Sequence, residues 1–172
     1  MKIYPYKTNK QTRYLTAVHI VAITLLTIIM ALLYEGGFLS AWFLSFALAL
    51  VALTVLSVPK NLAVSDTTLF IRCILDITEI PFSDIVTVRP VGKKDMHWVF
   101  PIFGCYGFFG YFGHFVDMKS MRHLEIYAST WSNFVEITTI YEKTYIVSCP
   151  DRDELVAILQ KNKPHRDSMD EI

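Results

Sequence analysis

Two long uncharged stretches near the N-terminus constrain this chain more than any other feature of its sequence. Neither residues 15–34 nor residues 38–58 contain an Asp, Glu, Lys or Arg, and only Glu35, Gly36 and Gly37 separate them. A helix of about 20 apolar residues can cross the roughly 30 Å of hydrocarbon in a bilayer, and its backbone satisfies its own hydrogen bonds there. The sequence therefore predicts a two-helix transmembrane hairpin over residues 15–58.

Two other interpretations of these stretches are weaker. A buried hairpin of a soluble protein is disfavoured because soluble core helices seldom stay uncharged on every face over this length. A cleaved signal peptide has an apolar region of about 7–15 residues before a small-residue cleavage site. Here the first stretch is longer and the second follows it at once.

The flanking charges predict the orientation of the hairpin. The basic flanks are Lys2, Lys7, Lys10 and Arg13 before the first stretch and Lys60 after the second, whereas the connecting loop carries only Glu35. Positively charged flanks remain on the cytoplasmic side. We therefore expect a protein that crosses the cell membrane twice, in bacteria the inner membrane, with the lipid bilayer as a partner. Residues 1–14 form a basic N-terminal tail, and both termini are cytoplasmic.

The rest of the chain is long enough for one compact domain and is not basic. The chain is 53% hydrophobic, and its mean hydropathy of +0.38 suits a small membrane protein. Residues 59–172 hold 12 Lys and Arg against 15 Asp and Glu, a net charge of −3. Nucleic-acid binding is not expected, because it requires a basic patch.

After Pro59, which is expected to end the second helix, the apolar pattern changes to the alternation typical of strands. Seven strands are predicted, at residues 61–65, 68–73, 77–80, 85–89, 122–129, 133–140 and 144–148. Pro150 is expected at the first position of a helix, and residues 151–161 show the apolar stripe of an amphipathic helix. The domain then covers residues 59–163, and the polar residues 164–172 are predicted to be disordered.

A glycine-rich and aromatic segment interrupts the strand pattern at residues 98–116. Its aromatic members are Trp98, Phe100, Phe103, Tyr106, Phe108, Phe109, Tyr111, Phe112 and Phe115, and its glycines are Gly104, Gly107, Gly110 and Gly113. The glycines and Pro101 make it a poor third span. Either it is a long loop packed on the sheet of its own domain, or it contacts the membrane interface, the helix hairpin or a partner. A large apolar surface needs such a cover.

The order of these elements, strands followed by one C-terminal helix, resembles bacterial PH-like (pleckstrin-homology-like) domains that follow a pair of transmembrane helices. The resemblance rests on an Ile-Pro-x-x-Asp-Ile turn at residues 80–85, the Gly/aromatic segment, the pair Tyr127-Ala128, and a Ser-Cys-Pro entry to the last helix at residues 148–150. It implies a membrane α-hairpin plus an α+β domain, in which about seven antiparallel strands form a PH-like roll with one C-terminal helix.

The resemblance also implies a non-catalytic module for protein binding or self-association at the cytoplasmic face. The alternative is a module that senses the membrane interface through the Gly/aromatic segment. Phosphoinositide-binding PH domains use a basic loop between their first two strands. The corresponding residues here, Ser65, Asp66 and Thr67, include no Lys or Arg, so phosphoinositide recognition is not expected.

The sequence contains no motif for catalysis or for a cofactor, and no enzyme activity is predicted. The Gly/aromatic segment lacks the lysine of a phosphate-binding loop. A metal protein is a weaker hypothesis, because its candidate ligands His97, Cys105, His114, Asp117 and His123 follow no familiar spacing. His19, inside the first span, is assigned a structural role. The cysteines are expected to be reduced if the domain is cytoplasmic.

Overall fold

The computed structural model describes residues 1–34 and 37–163. Within these residues the chain forms ten strands in two sheets, together with three α-helices and a 3₁₀ turn. In chain order they are β1 (Lys2–Pro5), α1 (Lys10–Leu32), α2 (Phe38–Leu56), β2 (Pro59–Val64), β3 (Thr68–Cys73), β4 (Ile77–Pro81), the 3₁₀ turn (Phe82–Asp84), β5 (Ile85–Val91), β6 (Val99–Tyr106), β7 (Tyr111–Asp117), β8 (Arg122–Ala128), β9 (Phe134–Thr139), β10 (Thr144–Ser148) and α3 (Arg152–Asn162).

The strands form a four-stranded sheet in the order β1-β2-β3-β4 and a six-stranded sheet in the order β5-β9-β10-β8-β7-β6. All seven predicted strands are present, and the three additional strands are β1, β6 and β7. The expectation of purely antiparallel pairing was wrong for one pair, because β8 and β10 are parallel, with Ile126 opposite Ile146.

The residues expected to form a basic tail belong to the folded domain. Strand β1 pairs with β2, with Tyr4 opposite Leu62. Tyr4 is only 3% exposed, and the Tyr6 hydroxyl donates a hydrogen bond to the carbonyl oxygen of Tyr127 at 2.7 Å. Lys2 also forms an ion pair with Glu154 of α3. The N-terminal residues therefore tie the first sheet, the second sheet and the last helix together.

The six-stranded sheet buries apolar side chains on both faces. We call the outer face the one that carries Phe112, Tyr127 and Val147, which are cross-strand neighbours. Part of this face packs with the four-stranded sheet and α3 in one core cluster. The inner face holds a second cluster, built from Val91, Met96, Val99, Tyr111, Phe115, Leu124, Ile126, Ala128, Trp131, Phe134 and Ile146.

The ends of the helices differ from the predicted ones by a few residues. α2 ends at Leu56, and Pro59 opens strand β2 instead of closing the helix. α3 begins at Arg152, so Pro150 precedes the helix instead of occupying its first position. Leu155 and Leu159 of α3 are fully buried, as the apolar stripe predicted. Glu35, Gly36 and the predicted disordered tail at 164–172 lie outside the described residues.

Among the described residues, one helix is long and apolar enough to cross a membrane. This is α1, which has 23 residues. An apolar stretch of 18 residues within it has a mean hydropathy of 2.4, and 6% of that stretch is buried. The part of α2 from Ala41 to Leu56 is a shorter apolar helix. Length and composition thus support one of the two predicted spans, and the second is not confirmed by this measure.

Replacing Tyr4 by alanine tests whether β1 is part of the domain. We expect Tyr4→Ala to lower the free energy of unfolding by about 3 kcal/mol, the usual loss for a large aromatic residue removed from a core. The measurement is chemical denaturation of the full-length protein in detergent. Ile3→Ala is the control, since Ile3 is 54% exposed and its loss should cost less than about 0.5 kcal/mol. Equal effects of the two substitutions would contradict a structural role for β1.

Candidate functional site

The Gly/aromatic segment is a β-hairpin, not a loop. Strands β6 and β7 pair in antiparallel register and are joined by a turn whose Gly107 N–H donates to the Gly110 carbonyl at 2.8 Å. Gly104 and Gly113 face each other across the hairpin. A Cβ on Gly104 would lie 2.2 Å from the Phe112 carbonyl oxygen, and one on Gly113 would lie 2.5 Å from that of Phe103. The two glycines therefore let the backbones approach at a point where no side chain fits.

The hairpin divides its aromatic residues between three environments. Tyr111 and Phe115 are buried on the inner face, where Trp131 lies 4.7 Å from the Tyr111 ring centroid. Phe108 and Phe112 are buried on the outer face together with Cys105. The remaining members of the set are exposed: Trp98, Phe100, Phe103, Tyr106 and Phe109. Of the nine aromatic residues of the candidate surface, these five are accessible. The other four are buried in the inner-face cluster and in the outer-face cluster.

Helix α1 begins on the domain and packs against the turn of this hairpin. The Asn9 side chain caps the helix by accepting a hydrogen bond from the Thr12 N–H at 2.8 Å. The Thr12 hydroxyl, which is fully buried, also lies 3.1 Å from the carbonyl oxygen of Ser129 at the end of β8. The first turn of α1 is thus fixed to the second sheet by polar contacts that exclude water.

Thr16 provides the second attachment of α1. Its hydroxyl oxygen accepts a hydrogen bond from the Phe109 N–H at 2.9 Å and lies 3.1 Å from the Gly107 carbonyl oxygen. The backbone at Gly107 has a φ of +91°, and a Cβ there would lie 2.6 Å from Leu15. Only glycine therefore allows the hairpin turn to lie this close to the helix.

Further along α1, apolar and ring contacts continue over the outer face. His19 lies with its ring centroid 6.0 Å from that of Phe108, and its Nδ1 lies 2.7 Å from the Leu15 carbonyl oxygen. Ile23 packs against the outer-face cluster of Cys105, Phe108 and Phe112. His19 thus lies at a packed helix–hairpin contact, which agrees with the structural role assigned to it.

The C-terminal end of α2 is held by the turn between β3 and β4. The Ile74 N–H donates to the Val58 carbonyl at 3.1 Å, and the Leu75 N–H donates to the Leu56 carbonyl at 3.3 Å. These bonds satisfy backbone carbonyls that the helix end leaves without partners. Both apolar helices therefore join the domain at fixed positions, α1 at its beginning and α2 at its end.

A groove of about 530 Å³ lies between the end of α2 and the outer face of the hairpin. Its lining is mainly apolar and includes the two facing glycines. The lining residues are Leu50, Leu53, Thr54, Leu56, Ser57, Cys73, Leu75, Asp76, Ile102, Phe103, Gly104, Phe112, Gly113, His114 and Tyr127. Burial raises the pKa of the Cys73 thiol to about 11 and that of the Tyr127 hydroxyl to about 12, so both stay protonated at neutral pH.

A second cavity, of about 390 Å³, opens on the inner face around a buried carboxylate. Glu136 is 6% exposed, and both of its oxygens accept hydrogen bonds from Arg89, at 2.8 and 2.9 Å. The bond to Glu136 raises the pKa of Arg89. Arg122 lies 3.3 Å from the same carboxylate. The buried charge is satisfied by two guanidinium groups of its own domain, which accounts for its burial without a ligand.

The candidate metal ligands do not converge. His114 and His123 stack with ring centroids 5.0 Å apart on the exposed outer face. Cys105 is buried, and Asp117 accepts hydrogen bonds from Ser120 and from the Lys119 N–H, which lowers the pKa of its carboxyl. Within residues 1–34 and 37–163, no group of three or more His, Cys, Asp or Glu side chains is arranged to hold a metal ion.

The attachment of α1 was not predicted from the sequence, although the sequence contains one indication of it. Thr12 and Thr16 are four residues apart and so lie on one face of the helix. Asn9 precedes them at the distance of an N-cap. Hydroxyl groups on one face at the start of an apolar helix indicate a polar contact there. The pattern does not predict which strands form that contact.

The two sheets, the closing helix and the hairpin define a protein of the PH-like class. A family model described as bacterial PH domain matches residues 60–163, which is more than half of the chain. The chain therefore belongs to the bacterial PH domain family. Searches of curated proteins and of solved structures gave no match. The family assignment confirms the predicted PH-like domain.

Replacing Thr16 by valine tests the attachment of α1. We expect Thr16→Val to lower the free energy of unfolding by about 1–3 kcal/mol, because the partly buried Phe109 N–H loses its acceptor. Hydrogen exchange at that N–H should also become faster.

Thr24→Val is the matched control. The Thr24 hydroxyl donates only to the Ile20 carbonyl of its own helix, at 2.8 Å, and is exposed. Its loss should change the free energy of unfolding by less than about 0.5 kcal/mol. An unchanged exchange rate at Phe109 in Thr16→Val would contradict the attachment.

Proposed function

We propose that this protein is a membrane-anchored, non-catalytic PH module with two membrane spans and both termini in the cytoplasm. The pairing of β1 with β2 carries the proposal. β1 precedes α1 and β2 follows α2, and the two strands pair over Lys2–Pro5. The ends of the apolar segment therefore lie on one side of any membrane. If α1 crosses the bilayer, the chain must cross it again before β2.

The composition of α2 supports this second crossing. α2 contains 19 residues from Phe38 to Leu56, none of them charged. A span needs about 20 residues, and snorkelling or local thinning of the bilayer accommodates a slightly shorter helix. Many large apolar side chains of both helices are exposed, among them Leu25, Leu32, Phe43 and Leu53. The bilayer would cover these side chains.

The basic flanks support the orientation. Lys7, Lys10 and Arg13 precede the apolar part of α1, and Lys60 follows α2, whereas the connecting loop carries Glu35 alone. Cytoplasmic flanks of membrane helices are enriched in Lys and Arg. The domain is therefore proposed to lie at the cytoplasmic face.

Topology mapping tests the anchor. A reporter that is active only outside the cytoplasm should be active when inserted after Gly37 and inactive when fused after Ile172. A reporter active only in the cytoplasm should give the opposite pattern. If the reporters place both positions in the same compartment, the chain does not cross the membrane twice. Recovery of the full-length protein from cells without detergent would contradict the anchor itself.

We propose association with a protein, beginning with a second copy of this chain, as the role of the anchored domain. The support comes from β6, the edge strand of the six-stranded sheet. In the described part of the chain no strand pairs with its other edge, and Phe100 and Phe103 are 49% and 71% exposed. Exposed apolar edge strands are common sites of contact between chains. Pro101 lacks an N–H, so side chains carry more of this contact than a continuous backbone ladder does.

A charge at Phe100 tests this role. We expect the full-length protein in detergent to sediment as an oligomer and Phe100→Glu to sediment as a monomer, because a charge at the contact loses its hydration on association. Met121→Glu is the control, since Met121 is 73% exposed and lies in the turn between β7 and β8, outside the edge strand β6. A monomeric wild type that binds no partner, or equal oligomers in both variants, would contradict it.

Contact between the hairpin and the bilayer is a second candidate function, and one observation favours it. The predicted span begins at residue 15, yet Leu15, His19 and Ile23 all contact the hairpin. These α1 residues and the hairpin turn therefore share one depth. Phe109 in the turn is 44% exposed. An exposed aromatic side chain at the depth of the interface suits interface binding.

A further inference from the structure

The groove beside α2 has one wall that belongs to the proposed second span. Leu50 and Leu53 form this wall and are 42% and 59% exposed. If α2 crosses the bilayer, as proposed above, the groove opens where the helix leaves the hydrocarbon. A lipid chain can then reach it without passing through water.

The lining outside α2 belongs to the domain. Leu75 and Phe103, 72% and 71% exposed, face the groove from the β3–β4 turn and from the hairpin. Gly104 and Gly113 also line the groove and contribute only backbone atoms to it. Phe112, which is 3% exposed, is also part of the lining. An apolar groove that is bare of side chains at these two positions suits an unbranched alkyl chain.

The polarity of the lining changes along the groove. Its apolar members Leu50 and Leu53 come first along α2, whereas Ser57 follows the helix. Asp76 also lines the groove and follows Leu75, whose N–H donates to the Leu56 carbonyl, so Asp76 and Ser57 lie at the same end. In the proposed orientation the polar end faces the cytoplasm. An amphiphile with its chain toward the bilayer centre and its polar group toward the cytoplasm matches this order.

We infer that the groove binds one acyl chain of a membrane phospholipid, with the ester and headgroup region near Ser57 and Asp76. This inference rests on the proposed anchor, because the groove is supplied from the bilayer only if α2 crosses it. The volume of about 530 Å³ lies within the range of ligand sites, about 300–1,000 Å³, and such sites combine apolar walls with few polar groups. The lipid would fix the end of α2 against the hairpin.

Photolabelling tests the site in the full-length protein. The protein is reconstituted in phosphatidylcholine vesicles that contain a phospholipid with a photoreactive group on its acyl chain, and the labelled residues are mapped by mass spectrometry. We expect labels on the groove residues Cys73, Phe112 and Tyr127 as well as on the exposed helix residues Val21 and Leu25. A label on Phe109 would report contact of the hairpin turn with the bilayer.

A matched pair of variants separates groove binding from general contact with lipid. Leu53→Trp places a large side chain in the groove and should reduce labelling of Phe112 and Tyr127 at least fivefold. Leu48→Trp is the control, because Leu48 is equally exposed but does not line the groove. It should leave the groove labels unchanged. Labelling of Val21 and Leu25 should be equal in both variants, which shows that each is inserted in the membrane.

The outcomes distinguish the inference from the proposed anchor. Labels on the helices without labels in the groove would overturn the lipid site and leave the anchor intact. Absence of labels on the helices as well would overturn both. Groove labels that persist in Leu53→Trp at the wild-type level would also overturn the site. If a second copy fills the groove, the labels are absent and an oligomer is found in detergent, and this result overturns the site too.

Discussion

The pairing of β1 with β2 is the interaction on which the rest of this structure depends. β1 has only four residues, yet it places Tyr4 in the main core and completes the four-stranded sheet. In the sequence, both apolar helices lie between these two paired strands. The chain can fold only if both ends of that segment return to one place, which is a stronger constraint on membrane topology than hydropathy alone.

The contacts of the two helices follow from this constraint. A membrane helix joined to a domain by a flexible linker leaves the orientation of the domain free. Here Asn9, Thr12 and Thr16 fix α1 to the second sheet, and only two residues separate α2 from β2. Each buried hydrogen bond contributes about 1 kcal/mol. Several such bonds and the packing of Ile23 are enough to hold the domain in one orientation relative to the helices.

The sequence was most informative where side chains alternate or repeat with one period. The seven predicted strands are all present because each alternates apolar and polar residues or is rich in β-branched residues. β1 could not be recognised, because Lys2–Pro5 is short and belongs to a stretch that is marked mainly by its Lys and Arg residues. The strand also gains its stability from a partner more than 50 residues away in the chain. The tertiary structure determines which strand pairs with β1, and the local strand propensity does not predict that partner.

The hairpin was missed for a different reason. β6 exposes apolar residues such as Phe100 and Phe103, and Phe112 is buried beside α1, so apolar residues occupy both faces and no alternation of apolar and polar residues marks the strands. Four glycines with positive φ resemble loop residues in a sequence, although two of them are needed for a close approach of paired strands. The nine aromatic residues could therefore be named from the sequence, but the five exposed ones could not be separated from the four buried ones without the strand register.

The glycines of the hairpin link its fold to its surroundings. Side chains at Gly104 and Gly113 would force the strands apart, and a side chain at Gly107 would displace α1. The same absence of side chains thus allows the strands to pair and lets the first helix lie close, and Gly104 and Gly113 line the groove next to the second. A segment that sequence patterns mark as irregular is, in three dimensions, the part of the domain that adapts a PH-like sheet to two apolar helices.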